Sequence, residues 1–399
     1  MRLFQHYHNR KYHNVVRREF WDFELSVWLH MVGRSLISIF IPVLIIKSGF
    51  PLWAVLFYYI LMNLFDVPLN FVARRFILSY GARLAIILAT LAGIIYFINF
   101  GWLSGGGYAV IIVLAFLDAV YDAFYWVGHL YLFFESSQEP EQAGQNTGTL
   151  ESVRSLAGML GPGIGAIILL FGNQGPLLAA SSIFFALSIL PLLRLRHIKD
   201  KPRPTGVTVR QFFSTLREKR DYLSLGFSNL HWPVENILWP LFIFSLYGTL
   251  RSIAWVAIIV SIGKIIFSYV AGTVTKKSGD TLIVVGSTAI VLIWVARLLY
   301  PHDIFYYASI LLTGFFAIMI DIPIESNIVE RARLKDSLLA STVRNATTMI
   351  PQFLIFSLLA ILVQVFKVSF LVAIGSLIML IVINRLFLVW MKRENHGTV

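Results

Sequence analysis

Apolar residues occur along this chain in long runs, without the polar alternation of a soluble strand or amphipathic helix. Each run has about 20 residues or more, the length that an α-helix needs to cross a bilayer. In lipid a helix satisfies its own backbone hydrogen bonds, and no barrel-like alternation is present. The runs predict twelve transmembrane helices, at 22–46, 52–75, 81–103, 106–135, 148–171, 175–193, 219–247, 252–275, 281–299, 302–330, 338–366 and 368–391.

Composition agrees with this pattern. The chain has 399 residues, of which 57% are hydrophobic and 14% charged, and its mean hydropathy is +0.75. A soluble domain carries about 25% charged residues. The sequence therefore predicts an all-α integral membrane protein, in which most of the surface faces lipid.

The basic residues alternate between loops. Lys and Arg number 33 against 21 Asp and Glu, for a net charge of +12. Nearly all basic loop residues fall on one side of the predicted spans, and only Lys47, Arg251 and Lys367 fall on the other. This positive-inside bias predicts both termini in the cytoplasm of a multi-pass protein of the cell membrane. It also explains the net charge without a nucleic-acid partner.

A basic segment divides the chain into related halves. Residues 194–218 form the predicted cytoplasmic linker between six-helix bundles at 1–193 and 219–399. A stretch at 209–220 could form an amphipathic helix on the inner leaflet, with Phe212 on its apolar face.

Three features recur in the same order in both halves. Arg34 matches Glu235, Asp122 matches Asp321, and Ser152-Val153-Arg154 matches Thr342-Val343-Arg344. Such internal repeats are typical of transporters that bind substrate in a central cavity between two halves.

The predicted fifth span contains a glycine-proline motif. It reads Gly158-Met-Leu-Gly161-Pro162-Gly163-Ile-Gly165-Ala166. Small residues allow two membrane helices to approach closely, and proline bends a helix. We therefore interpret Gly158, Gly161, Pro162 and Gly165 as a helix-packing motif.

With its six-plus-six layout and long basic central loop, the chain resembles the major facilitator superfamily. The glycine-proline motif is similar to the family's fifth-helix motif, which is associated with proton-exchanging exporters though not exclusively. The segment from Gly272 through Lys276 and Gly279 to Asp280 has the glycine spacing of the family's cytoplasmic loop motif, with its usual charges reversed. The resemblance implies that helices one, four, seven and ten line the cavity, and that the loop residues act in gating.

Ionisable residues inside spans are the strongest functional candidates, because each costs about 2.5–3.5 kcal/mol to place at the centre of a bilayer. Asp118 and Asp122 lie one turn apart in the fourth span, and two such carboxylates disfavour simultaneous ionisation. Asp321 and Glu325 repeat this arrangement in the tenth span. These four acids are the predicted proton-coupling residues, with a structural ion pair as the alternative for each.

Two further sets complete the predicted site. The candidate cavity residues are Arg34, Tyr125, Trp126, His129, His231, Glu235, Trp239 and Lys264. The candidate charge partners or gating residues are Asp66, Arg154 and Arg344, besides the loop residues named above. Arg297 and Arg385 are predicted to extend to the membrane surface.

These patterns predict a proton-coupled secondary transporter that works by alternating access, with a small molecule and the lipid bilayer as partners. We expect a monomer that is no enzyme, binds no cofactor or metal and uses the proton gradient. No phosphate-binding glycine loop indicates ATP, and the chain has no Cys. Cavity acids favour export of an amphipathic or cationic compound, whereas Arg34 leaves uptake of a sugar or organic anion open. A non-transporting sensor or scaffold and a membrane-embedded enzyme are the alternatives from other classes.

Overall fold

The computed structural model describes residues 21–136, 143–171, 174–195, 201–202, 205–334 and 336–396. Within these ranges the chain forms helices and connecting turns, with no strand. The N-terminal segment and parts of the predicted linker lie outside the described residues.

The first half contains seven helical segments. The first predicted span is interrupted by a turn at 39–40, directly before Pro42, where proline fixes the backbone and removes a donor. The segments are α1 (21–38), α2 (Ile41–Lys47), α3 (Leu52–Tyr80), α4 (Ala82–Phe100), α5 (Gly107–Ser136), α6 (Ala143–Phe171) and α7 (Gln174–Leu192).

The second half contains seven more. The seventh predicted span bends through a π-helical turn, Val234–Leu238, between Pro233 and Pro240. The segments are α8 (Val209–Phe212), α9 (Leu216–Pro233), α10 (Trp239–Tyr247), α11 (Leu250–Leu299), α12 (Asp303–Leu334), α13 (Ser337–Ala360) and α14 (Val365–His396).

Helix α11 differs from the prediction of two spans joined by a loop at 276–280. Its helical hydrogen bonding is continuous over 50 residues, about 75 Å at 1.5 Å per residue if it were straight. The glycine that suggested a loop, Gly279, lies inside the helix, where glycine is tolerated at a small cost. Its part from Gly279 to Leu299 is apolar enough to be a membrane span by itself.

Eight helices among the described residues are long and apolar enough to cross a membrane. Their outer faces carry large exposed hydrophobic side chains, such as Leu292, Ile304 and Leu386, which a water-facing surface would not favour. The protein is therefore a multi-pass, all-α membrane protein. Twelve spans and cytoplasmic termini remain predictions.

The linker meets the second bundle differently from the prediction. Helix α8 is a single turn, and Phe212 is buried against Tyr222 of α9 instead of facing a leaflet. Helix α9 begins at Leu216 with a capping box formed by Thr215 and Glu218. The Thr-x-x-Glu spacing is a sequence signal for a helix start that places this helix three residues before the predicted boundary.

Helices of the two halves pack against one another, most extensively α6 with α11 and α3 with α13. Between the halves lies a cavity of about 470 Å³, lined by residues of both. The described residues of the two halves thus enclose a central cavity, and the division into two six-helix bundles stays a prediction.

Candidate functional site

The glycine motif brings α6 against α1. A Cβ atom at Gly161 would overlap the Ser35 side chain and lie 2.8 Å from the Leu36 nitrogen. A Cβ at Gly165 would overlap the Leu36 carbonyl oxygen. Because the obstacles include backbone, only glycine permits this approach, and the motif packs helices as predicted. Pro162 lies inside α6, and Gly158 lines the cavity.

In the first half, Asp118 is held by Arg34 and not by its neighbour on the helix. Nη2 of Arg34 lies 2.9 Å from Oδ1 of Asp118. Tyr58 donates to Oδ2 of Asp118 at 2.5 Å, and the Tyr58 and Tyr96 hydroxyls lie 3.0 Å apart. The guanidinium also lies 5.1 Å from the ring centre of Tyr121. Asp118 is therefore a buried anchor for α1, α3 and α5, behind the cavity.

Asp122, one turn later on α5, faces the cavity and contacts the second half. Its Oδ2 accepts a hydrogen bond of 3.3 Å from Asn345 of α13, and its carboxyl lies against that of Asp66 of α3. Asn345 also donates to Asn70 at 2.8 Å, and Asn70 donates to Asp66 at 2.5 Å. The sequence predicted Asp118 as the partner of Asp122, but the structure pairs Asp122 with Asp66.

The histidines and tyrosines of the first half form a buried stack. His30 contacts the Tyr121 hydroxyl at 2.8 Å, and its ring lies 3.7 Å from that of Tyr125. Tyr125 in turn stacks on His129. Tyr125 and His129 lie outside the cavity lining, unlike their predicted positions, because the face of α5 that carries them packs on α1.

Arg154 and Trp126 do line the cavity. Arg154 lies 3.0 Å from Nε2 of His129, and its guanidinium lies 4.8 Å from the Trp126 ring. A cation over an aromatic face is attracted by the ring quadrupole. These contacts orient the guanidinium at the cavity wall.

The second half contains a matching buried ion pair. Arg297 of α11 donates to both oxygens of Glu235, at 2.8 and 3.1 Å, and to Ser309 at 2.8 Å. Its guanidinium lies 3.9 Å from the Trp239 ring. The prediction that Arg297 extends to the membrane surface is therefore wrong, because Glu235 holds it in the interior.

Trp239 and His231 pack around this pair. Trp239 is fully buried and does not line the cavity, so its predicted position there is wrong. His231 accepts a hydrogen bond of 3.0 Å from Trp294 and lines a small side pocket of about 30 Å³ that also contains Glu235. Glu235 belongs to the π-helical turn and also lines the main cavity.

Asp321 and Glu325 both line the cavity, one turn apart on α12. Arg344 of α13 pairs with Glu325, with Nε 3.1 Å from Oε1. Arg344 therefore bonds to an acid of the preceding helix. Its counterpart in the first half, Arg154, contacts a histidine of the preceding helix instead.

A charge cluster lies near the start of α9, on the predicted cytoplasmic side. Arg220 donates to Asp280 and Arg331 pairs with Asp221, each at 2.8 Å. Asp280 thus bonds within the second half. The surroundings of Lys264, Gly272 and Lys276 lie outside what the structure describes.

Sequence reasoning missed a set of contacts that joins the halves on the same side. Asp336 lies 3.7 Å from Arg74 of α3 and accepts a 2.5 Å hydrogen bond from Thr205 of the linker. Ser337 donates to Glu135 of α5 at 2.9 Å. We call these contacts the end latch. Asp336 also caps α13 by accepting from the Leu339 nitrogen, and an Asp before an apolar helix was the available signal.

Comparison with solved structures agrees with this architecture. A bacterial homologue of the iron transporter ferroportin, in an outward-facing state, matches with a TM-score of 0.69 and 14% identity over 92% of this chain and 98% of that one. The chain has the major facilitator fold. The human organic anion transporter MFSD10 (TETRAN) matches with a TM-score of 0.65 and 12% identity, over 92% and 99% of the two chains. At these identities the likeness establishes the fold alone.

The ferroportin homologue with soaked iron matches with a TM-score of 0.65 and 14% identity, over 92% of this chain and 98% of that one. No family model and no curated protein matches the sequence. The predicted resemblance to the major facilitator superfamily is confirmed at the level of the fold.

Proposed function

We propose that this protein is a proton-coupled secondary transporter of a cell membrane, which exports a cationic or amphipathic small molecule by alternating access. The observation that carries the proposal is the cavity of about 470 Å³ between the halves, with Asp122 on its wall and bonded across to Asn345. A site between two halves can open to either side when the halves rock.

The charge around the cavity favours a cation. Six carboxyls and four guanidiniums among the described side chains line it or pair directly with its lining, which sums to −2 when all are ionised. The acids are Asp66, Asp118, Asp122, Glu235, Asp321 and Glu325, and the bases are Arg34, Arg154, Arg297 and Arg344. A cation restores part of this balance, whereas an anion increases the imbalance.

The uncharged walls favour an organic cation over a small inorganic one. Trp126, Trp232 and Tyr59 contribute aromatic surface, and Met31 and Met349 contribute flexible apolar surface. Aromatic faces attract cations, and methionine adapts to varied shapes. No group of three His, Cys, Asp or Glu positioned for a metal ion occurs among the described residues.

An organic anion is the second candidate. Arg154 and Arg344 both line the cavity, and arginine recognises carboxylates well. One of the similar structures is a homologue of an iron transporter and another is an organic anion transporter, so the fold allows either charge. A sensor or scaffold that transports nothing remains the alternative from another class.

The test is flux in proteoliposomes with an imposed pH gradient. We expect a lipophilic organic cation to move in the direction opposite to the protons, and we expect Asp122→Asn to abolish this movement. Glu330→Gln, which changes an exposed acid of α12 outside the cavity lining, is the matched control and is expected to retain flux. Movement of an organic anion instead would establish the second candidate, and no flux of any probe would refute transport.

A further inference from the structure

Asp66 is a buried acid that no basic side chain of the described residues contacts. It lies on α3 with no exposed surface, and it does not line the cavity. Asn70 donates to its Oδ1. Its Oδ2 is buried and receives no hydrogen bond from any nitrogen or hydroxyl of the described residues. The group that lies against it is the carboxyl of Asp122.

Two carboxylates in such contact repel strongly. Like charges in the poorly screening interior of a protein repel each other much more than they do in water. Burial adds the cost of removing each charge from water, which only a bonded counter-charge offsets. A proton between the two oxygens removes the repulsion and supplies the hydrogen-bond donor that Oδ2 of Asp66 lacks.

The surrounding groups do not provide a substitute for this proton. Arg34 of α1 acts on Asp122 through its charge, but it is bonded to Asp118 at 2.9 Å. From α13 the Asn345 amide donates to Asp122, and Arg344 of the same helix bonds to Glu325. From α3 the Asn70 amide donates to Asp66.

We propose that Asp66 and Asp122 bind one proton between them, and that a cation in the cavity displaces it. Asp122 is accessible from the cavity and Asp66 is not. A cation that contacts Asp122 compensates the negative charge of the pair in place of the proton, so the proton leaves through the cavity into water. One proton is released for each cation bound, which is the balance that exchange requires.

The pair is also positioned to report its state to the other half. Asn345 donates to Asp122 at 3.3 Å and to Asn70 at 2.8 Å. Its amide therefore bridges α3 and α5 of the first half to α13 of the second. Loss of the proton changes the charge that this amide contacts, which biases the contact between the halves.

Proton sharing can be tested without transport. Infrared difference spectra of the purified protein between low and high pH should show one protonated buried carboxyl that titrates. Asp66→Asn and Asp122→Asn should each abolish this band, because either substitution removes the shared site. Asp66→Glu should retain it at a shifted frequency, and Asp321→Asn should leave it unchanged. Melting temperatures confirm that each variant is folded.

Displacement is tested by cation binding to the same samples, and this part rests on the proposed function. The affinity of an organic cation should increase by up to about tenfold per pH unit in the range where the pair titrates. That dependence should vanish in Asp66→Asn. A band lost only in Asp122→Asn would overturn proton sharing. A normal band without pH-dependent cation binding would refute displacement while leaving the pair intact.

Discussion

The buried pair of Glu235 and Arg297 allows a quantitative prediction for Arg297→Gln. The substitution leaves Glu235 charged and buried without its two guanidinium hydrogen bonds of 2.8 and 3.1 Å. Breaking a buried pair by removing one partner costs about 3–5 kcal/mol. The contact with the Trp239 ring at 3.9 Å is lost as well, about 0.5–2 kcal/mol more by itself. Because Gln retains part of the packing, we expect a total loss of about 3–5 kcal/mol.

The assay is reversible unfolding in mixed micelles, arranged as a double-mutant cycle. Glu235→Gln together with Arg297→Gln removes both charges, so the double variant should be more stable than Arg297→Gln alone. The coupling energy should be at least about 2 kcal/mol. Arg385→Gln is the matched control, because Arg385 is exposed on α14, and surface substitutions change stability by about 0.5 kcal/mol or less.

Two outcomes would refute this reasoning. A loss below about 1 kcal/mol in Arg297→Gln would show that the pair is not buried from water as the structure indicates. Additive effects of the two substitutions would show that the side chains do not interact. Transport by the double variant separates the roles of Glu235: retained flux assigns it to the architecture, and lost flux with normal stability assigns it to substrate binding.

Two further predictions concern helix packing and gating. Gly165→Ala should destabilise the protein by about 1–3 kcal/mol. Gly163→Ala should be nearly neutral, because its Cβ would meet only the end of Ile258 at 3.4 Å. Equal melting temperatures of the two variants would contradict the close approach of α6 to α1. Asp336→Asn should weaken the end latch. The ratio of conformations open at this end to conformations closed there should rise up to about fivefold, since a partly exposed pair contributes about 0.2–1 kcal/mol. Spin labels on cysteines introduced at the ends of α3 and α13 measure this ratio, and Asp280→Asn, whose carboxylate bonds within the second half, should leave it unchanged.

Local patterns were sufficient for the main elements of the fold. An apolar run of about 20 residues has few stable arrangements besides a membrane helix, so most helices lie where the runs predict them. Two places differ from the prediction. Helix α11 continues through glycines that suggested a loop. The first span, predicted as continuous, is interrupted at 39–40 before Pro42. The glycine motif was interpretable from sequence because its effect depends on the absence of side chains.

The sequence also located ionisable residues inside the predicted spans, but it did not show how they pair. Asp122, Glu235 and Asp321 were found because charges inside a span are costly wherever they point. Their partners lie on other helices: Asp66 for Asp122, and Arg297 for Glu235. Spacing along one helix suggested Asp118 as the partner of Asp122, since neighbours one turn apart are all that a single helix can reveal.

The hydrophobic pattern thus determined the class of protein and the places of most of its helices, because each depends on a property of a single segment. Only the tertiary structure decided which polar groups meet, since the rotation and crossing of packed helices bring together side chains from distant segments. That is why Tyr125 and Trp239, which looked like cavity walls, are buried in the bundles, and why Asp336 joins the two halves. Pairing depends on packing, and packing is a property of the whole chain.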